Sequence, residues 1–244
     1  MEVFFNDLKR QFILNFIEKD RWKLMVTGLE NTLKIPIVAA LIGIVIGILL
    51  ASIRSTYDKQ YETLKKHKGV KYYVLSFLNF IAQVYLTVIR GTPVVVQLLI
   101  AFFIIFASAK NGVAIAMLAF GINSGAYVAE IFRGGIMSID NGQFEAGYSL
   151  GFNYFQTMIF IVIPQVIKNV LPMLLNEFIA LLKETSVAGY VAVTDITRAG
   201  NVIRGTTFSP FMPLIAVALF YLNMVMILTQ VVKRVERRLR KSER

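Results

Sequence analysis

The sequence predicts an all-α integral membrane protein with five transmembrane helices, and three observations carry that reading. Mean hydropathy is +0.63 and 56% of residues are hydrophobic, against about 45–50% in a soluble domain. Charged residues are down to 17%, where about 25% is usual. Long apolar runs recur along the chain, and about 20 mostly apolar residues suffice for one bilayer crossing. This composition argues against a soluble enzyme, a disordered chain and a nucleic-acid-binding module. The net charge of +11 is then expected in loops, since membrane proteins collect Lys and Arg on the cytoplasmic side. There is no Cys, which excludes disulfides and thiolate metal sites. One His and no His/Asp/Glu cluster give no reason to expect a metal.

Residues 1–23 place Phe5, Leu8, Phe12 and Phe16 on one side, with Asn6, Lys9, Arg10, Asn15, Glu18 and Lys19 elsewhere. That spacing suits a helix lying on a membrane surface; the alternative is a frayed terminus. The membrane domain follows over 24–239, and 240–244 form a basic tail. Leu24–Ile53 is the first span, with Ala39, Gly43, Gly47 and Ala51 recurring every four residues. Such a stripe admits another helix closely and reads as packing. Trp22 and nearby aromatics suit interfacial anchors.

Tyr72–Ala109 is too long for one span and awkward for two, being interrupted by Arg90-Gly91-Thr92-Pro93. Charge resolves the ambiguity. Loop 54–71 carries six basic residues, among them Arg54, Lys59, Lys65 and Lys66, and tail 233–244 carries seven. If both are cytoplasmic, an even number of crossings separates them, so 72–109 crosses once. Gly112–Gly135, Tyr154–Leu182 and Pro213–Val232 complete five spans, with the N-terminus outside and the C-terminus inside. Against this topology, the outer N-terminus carries five basic residues of its own. Every span is helix, because an open strand leaves its backbone unsatisfied in lipid. Pro164 and Pro172 are expected to bend or break the fourth span. His67, in a Lys-rich loop, is expected to be solvated.

The loop 137–152 between the third and fourth spans is the most informative. Asp140 can cap a helix over Gln143–Leu150 that ends at Gly151. A short helix joined rigidly to two spans makes a lever for a cytoplasmic partner; an ordinary surface turn is the equal alternative.

Here the residues resemble a family. Glu145-Ala146-Gly147, Gly151, and then Ile161-Val162-Ile163-Pro164 are similar to the Glu-Ala-Ala signature of permease subunits of ATP-binding-cassette importers. Gly147 stands for the signature's second Ala and Ile163 for its Leu, size-conservative changes expected to leave the loop's role intact. Three more strings resemble the polar amino acid permeases of that superfamily, the histidine, glutamine and arginine type. They are Arg90-Gly91-Thr92-Pro93, the segment Ala126–Gly135 and the segment Asn176–Ser186. The likeness covers about residues 22 to 239.

The resemblance implies a type I importer permease in a bacterial cytoplasmic membrane. Such a chain pairs with a second permease, identical or paralogous. Two ATPase subunits dock on the loop bearing Glu145, Ala146, Gly147 and Gly151. An extracytoplasmic binding protein delivers the amino acid. ATP and magnesium belong to the ATPase partner, and no cofactor is expected in this chain. The chain has no Gly-x-x-x-x-Gly-Lys-Ser/Thr phosphate loop, so it is expected to be non-catalytic.

Polar residues within spans are the substrate candidates, since ionisable groups there face a bundle interior or a watery cavity. Glu177, inside the apolar run Met173–Leu182, suits an ammonium group or a buried packing pair. Asn123 and Ser124 suit a carboxylate or a structural hydrogen bond between helices. Thr92 and Gln97 flank the break in the second segment, and broken helices at membrane depth line cavities. Thr185 and Ser186 meet a carboxylate or cap a helix turn. Tyr127, Glu130 and Arg133 read as gate or scaffold, with Glu130 and Arg133 three residues apart and able to pair. The alternative function is a stand-alone channel or ion-coupled transporter with Glu177 as its ion site.

Overall fold

The computed structural model describes residues 2–66, 69–109 and 111–241, so His67 and the last three residues of the basic tail lie outside it. Among the described residues every regular element is helical. Five helices are long and apolar enough to cross a membrane: Trp22–Tyr61, Val70–Gly91, Gly112–Met137, Tyr154–Val191 and Phe211–Leu239. Within the stretch expected to cross once, α3 (Val70–Gly91) is long and apolar enough for a crossing by length and composition, and a shorter apolar helix, Val94–Ile105, follows it. Pro93 has no N–H to continue α3, and Thr92 before it is extended (φ −121°, ψ 143°).

Two expectations need correction, the loop from residue 54 and a break at the prolines of the fourth span. Residues 54–66 are not a loop: the helix that carries the first span, α2, runs unbroken over Trp22–Lys66. Residues 54–66 are charged, but they include no Gly or Pro, and Lys, Arg, Gln and Glu are good helix formers. The fourth span is not broken by its prolines. A wide turn, Met158–Val162, precedes Pro164, and α8 (Ile163–Glu184) continues through Pro172. Pro164 lies inside the continuous helical stretch Tyr154–Val191, directly after that turn. The wide turn shifts the hydrogen-bond register just ahead of it.

The chain divides into two compact units. The first comprises Met1–Ala39, Val94–Phe120 and Ile179–Val231. Its core joins Met25 to Ile196, Ala199, Ile203 and Val217. The N-terminal segment is helical over α1 (Glu2–Phe12). Beyond it Asn15 is fully buried, hydrogen-bonded to Ser209 (3.1 Å) and Thr207 (2.7 Å), so this part of the segment is anchored in protein.

Helix α9 (Ile196–Thr207) starts at Asp195, whose carboxylate accepts from the N–H groups of Thr197 (3.0 Å) and Arg198 (3.1 Å). Burial pushes the Asp195 carboxyl above its ordinary pKa, opposed by the two N–H groups. A raised folded-state pKa favours the protonated acid, so that contribution is present at low pH and fades as pH rises through the folded value. Asp195→Ala should destabilise the protein by about 1 kcal/mol through loss of the cap. Asp195→Asn, a neutral cap, should match the parent at neutral pH and lose ground to it as pH drops toward 4. Thermal unfolding of the three proteins across pH checks this; an Ala variant as stable as the parent would refute it.

The second unit comprises Ala40–Pro93, Gly121–Phe178 and Val232–Arg244. Here α2 packs on α5 (Gly112–Met137) through the small residues of its stripe. A Cβ on Gly47 would lie 2.4 Å from Val128, and one on Gly43 3.0 Å from the Ser124 hydroxyl. The backbones are too close for any larger side chain, as a small-residue stripe permits. Ile136, Ile139, Phe144, Val162, Val166 and Val170 form a core that ties α5 to the start of the fourth span.

Candidate functional site

Three polar constellations lie in the second unit. The first is intramembrane. Ser124 on α5 is 1% exposed, and its hydroxyl donates to Glu177 Oε1 on α8 at 3.2 Å. Asn123 beside it is also buried. Gly125 next to it brings Tyr85 close, and the Tyr85 hydroxyl donates to the Ile122 carbonyl. A half-buried carboxylate and buried hydroxyl and amide groups thus share one level of the α5 helix. Thr92 is exposed, and its hydroxyl donates to the Val88 carbonyl (2.8 Å) at the end of its own helix.

The second constellation is ionic. Glu130 and Arg133 pair at 3.2 Å as their spacing predicts. Arg54 (3.3 Å) and Arg90 (3.9 Å) also reach Glu130, and Arg133 reaches Asp58 at 3.2 Å. The Arg90 guanidinium lies 5.8 Å from the centre of the Tyr127 ring. Residues of α2, α3 and α5 therefore meet in one network. Sequence reasoning missed Arg54, Asp58 and Arg90. The absence of a helix breaker over 54–66 was the available signal that Arg54 and Asp58 lie on a helix.

The third is the short helix α6 (Asn141–Ser149). Asp140 caps it by accepting from the Gly142 N–H (2.6 Å). At the other end the Gly151 N–H bonds to Tyr148 O (2.9 Å) and the Phe152 N–H to Gly147 O (3.0 Å), the paired bonds of a glycine-terminated helix. Gly151 has φ +81°, a left-handed conformation that glycine adopts freely. Glu145 and Ala146 are exposed, while Phe144 and Gly147 are buried. A Cβ on Gly147 would fall 2.6 Å from Thr157, whose hydroxyl is fixed to the Asn153 carbonyl at 3.0 Å. Gly147 in place of Ala is therefore not a neutral change: Thr157 occupies the space an Ala methyl would need. Lys59 Nζ lies 4.6 Å from the Phe144 ring centre and donates to Asn141 Oδ1 at 2.7 Å.

The remaining candidates belong to the first unit. Gln97 is half-buried. Thr185 is fully buried and its hydroxyl donates to Leu182 O (2.8 Å), the helix-turn role weighed above. Ser186 lines a cavity of about 680 Å³ with Tyr190, Thr197, Arg198 and Asn201. Among the described residues no group of three or more His, Cys, Asp or Glu is placed to hold a metal ion.

Five apolar helices, a carboxylate within one of them and a capped helix between the third and fourth describe a multi-pass membrane protein. The chain belongs to the family of binding-protein-dependent transport system inner membrane components, whose model matches residues 69–241. It is a membrane permease subunit of an ATP-binding-cassette importer, and ATP hydrolysis lies in a separate subunit. The stand-alone channel finds no support. The chain is 35% identical to the arginine transport system permease protein of Bacillus subtilis (strain 168), over 90% of this chain and 94% of that one. It is 34% identical to the glutamine transport system permease protein of Escherichia coli (strain K12), over 89% and 93%. Among solved structures it is similar to an amino acid ABC transporter crystallised with histidines. There the TM-score is 0.76 at 35% identity, covering 88% of this chain and 94% of that one. The inward-facing methionine ABC transporter shares the fold, with TM-score 0.73 at 16% identity, covering 91% and 99%.

Proposed function

We propose that this chain forms half of the translocation path for a polar amino acid. The observation that carries the reading is the Ser124–Glu177 pair, a carboxylate and a hydroxyl within otherwise apolar spans. An amino acid carries both charges, and neither crosses a low-dielectric region without a partner. Glu177 meets the ammonium group or a cationic side chain; Ser124, Asn123 and Thr92 meet the carboxylate. The amino acid named in the two relatives above, arginine in one and glutamine in the other, supports this substrate class. Tyr127, Glu130 and Arg133 serve as scaffold around the path.

The rest of the assembly follows the same reading. The basic end of α2 and the C-terminus are cytoplasmic and the N-terminus is outside. The exposed Glu145 and Ala146 of α6 face one of two ATPase subunits, while Gly147 and Gly151 shape that helix. A second permease, identical or paralogous, completes the path, and an extracytoplasmic binding protein supplies it.

The test is ATPase activity of the chain reconstituted in lipid, alone and with its partner subunits, over a panel of amino acids. The chain alone should show no turnover, and the full assembly should be stimulated by one class of polar amino acid. Turnover by the isolated chain, or an assembly indifferent to every polar amino acid, would overturn the reading.

A further inference from the structure

We propose that the arginine-lined cavity between α2, α3 and α5 holds the phosphate headgroup of an anionic glycerophospholipid. The cavity measures about 450 Å³ and is lined by Arg54, Gln83, Leu86, Thr87, Arg90 and Glu130. Its charges do not balance. Arg54 and Arg90 share one oxygen of Glu130, at 3.3 and 3.9 Å, while Arg133 occupies the other oxygen and Asp58. Three guanidinium groups thus meet two carboxylates. The longest of these contacts belongs to Arg90, whose side chain is 46% exposed. Arg54 adds a buried Nε with no acceptor. An arginine fork is matched in shape and charge to phosphate oxygens, and Gln83 and Thr87 add an amide and a hydroxyl beside it.

Placement favours a lipid over a small anion. Arg54 is the residue at which the apolar run of α2 gives way to charge, and Lys59, Lys65 and Lys66 follow on the same helix. Headgroups lie at that boundary, and basic pockets between transmembrane helices recognise anionic ones. On α3, Phe80, Ile81, Val84 and Val88 are exposed within a turn of Gln83 and Thr87. A phospholipid covers both features at once: its phosphate enters the cavity and its acyl chains lie along that apolar face. A free anion would leave the face bare.

The test uses the complete transporter, purified in detergent with its partner subunits. Retained lipid is weighed by native mass spectrometry and thermal unfolding is followed with added phosphatidylglycerol, phosphatidylcholine, inorganic phosphate or glutamine. Phosphatidylglycerol should be retained preferentially and raise Tm, and the other three should do neither. Arg90→Gln should weaken that retention about fivefold, the effect of one basic residue near a membrane surface. Gln83→Leu with Thr87→Leu should abolish it by filling the cavity while leaving every ion pair in place. If neither variant assembles, the ligand panel on the unmodified transporter still decides. Equal retention of the two lipids overturns the proposal. So does displacement of phosphatidylglycerol by phosphate, which would mark a small-anion site, or by the amino acid, which would put the cavity on the transport path.

Discussion

Glu177→Gln should lower amino acid uptake about a hundredfold or more, the equivalent of a few kcal/mol at the site, without loss of assembled complex. The substitution keeps the shape of the side chain and an oxygen for the Ser124 hydroxyl to reach at the present 3.2 Å. What it removes is the negative charge. An ionised group within a span is expensive and commonly marks a transport path, and a carboxylate is the natural counterpart of an ammonium. If the group instead only fixes α5 to α8, the glutamine should serve as well. Uptake in membrane vesicles and the yield of complex are measured side by side. Normal uptake would exclude a charge role, and joint loss of uptake and assembly would make Glu177 a packing residue. Ser124→Ala should be milder, about fivefold, the weight of one ordinary hydrogen bond.

Gly147→Leu should uncouple ATP hydrolysis from uptake, reducing transport to background. The cause lies inside this chain. Gly147 faces Thr157, which leaves no room for even one methyl group, so any larger side chain lifts α6 off the start of the fourth span. Overpacking of this kind costs about 1–3 kcal/mol, enough to displace a nine-residue helix. The physical account makes a sharper demand as well. Gly147→Ala should impair coupling, and Thr157→Ala in the same chain should restore it. Uptake and substrate-stimulated ATPase activity report both. Should Gly147→Leu behave like the parent in each assay, α6 is not the coupling element. Absence of rescue by Thr157→Ala would mean that Gly147 is needed small for a partner.

Much of this was legible in the sequence, for identifiable reasons. The number of long apolar helices follows from hydropathy, and the interruption of 72–109 follows from Pro93. The ends of α6 were readable because Asp140 and Gly151 act locally, through their own backbone neighbourhood. The Glu130–Arg133 pair is fixed by helix spacing. Its links to Arg54 and Arg90 are not, since they join helices whose register only tertiary packing sets. Charge over 54–66 suggested a loop, yet helix formers without a breaker carry α2 on to Lys66. The amphipathic pattern of residues 1–23 concealed Asn15, a polar residue that folding buries completely. The Gly147–Thr157 contact was also invisible, because the two residues meet only across the turn at Gly151.

The extension of α2 changes what kind of mechanical object α6 is. A hinged flap would absorb a push by rotating about its two ends. Here Lys59 grips the helix at Asn141 and over the Phe144 ring, and the next residue back, Asp58, is tied to Arg133. From the other side, Gln165 of α8 holds Gln143 at 3.1 Å. Load applied to α6 is therefore divided among three long helices at once, and part of it runs through Arg133 and Glu130 to the end of α3, where Arg90 precedes the break at Thr92-Pro93. The break is a joint in that path, because Thr92 is extended and Pro93 has no N–H, so no helical turn bridges them.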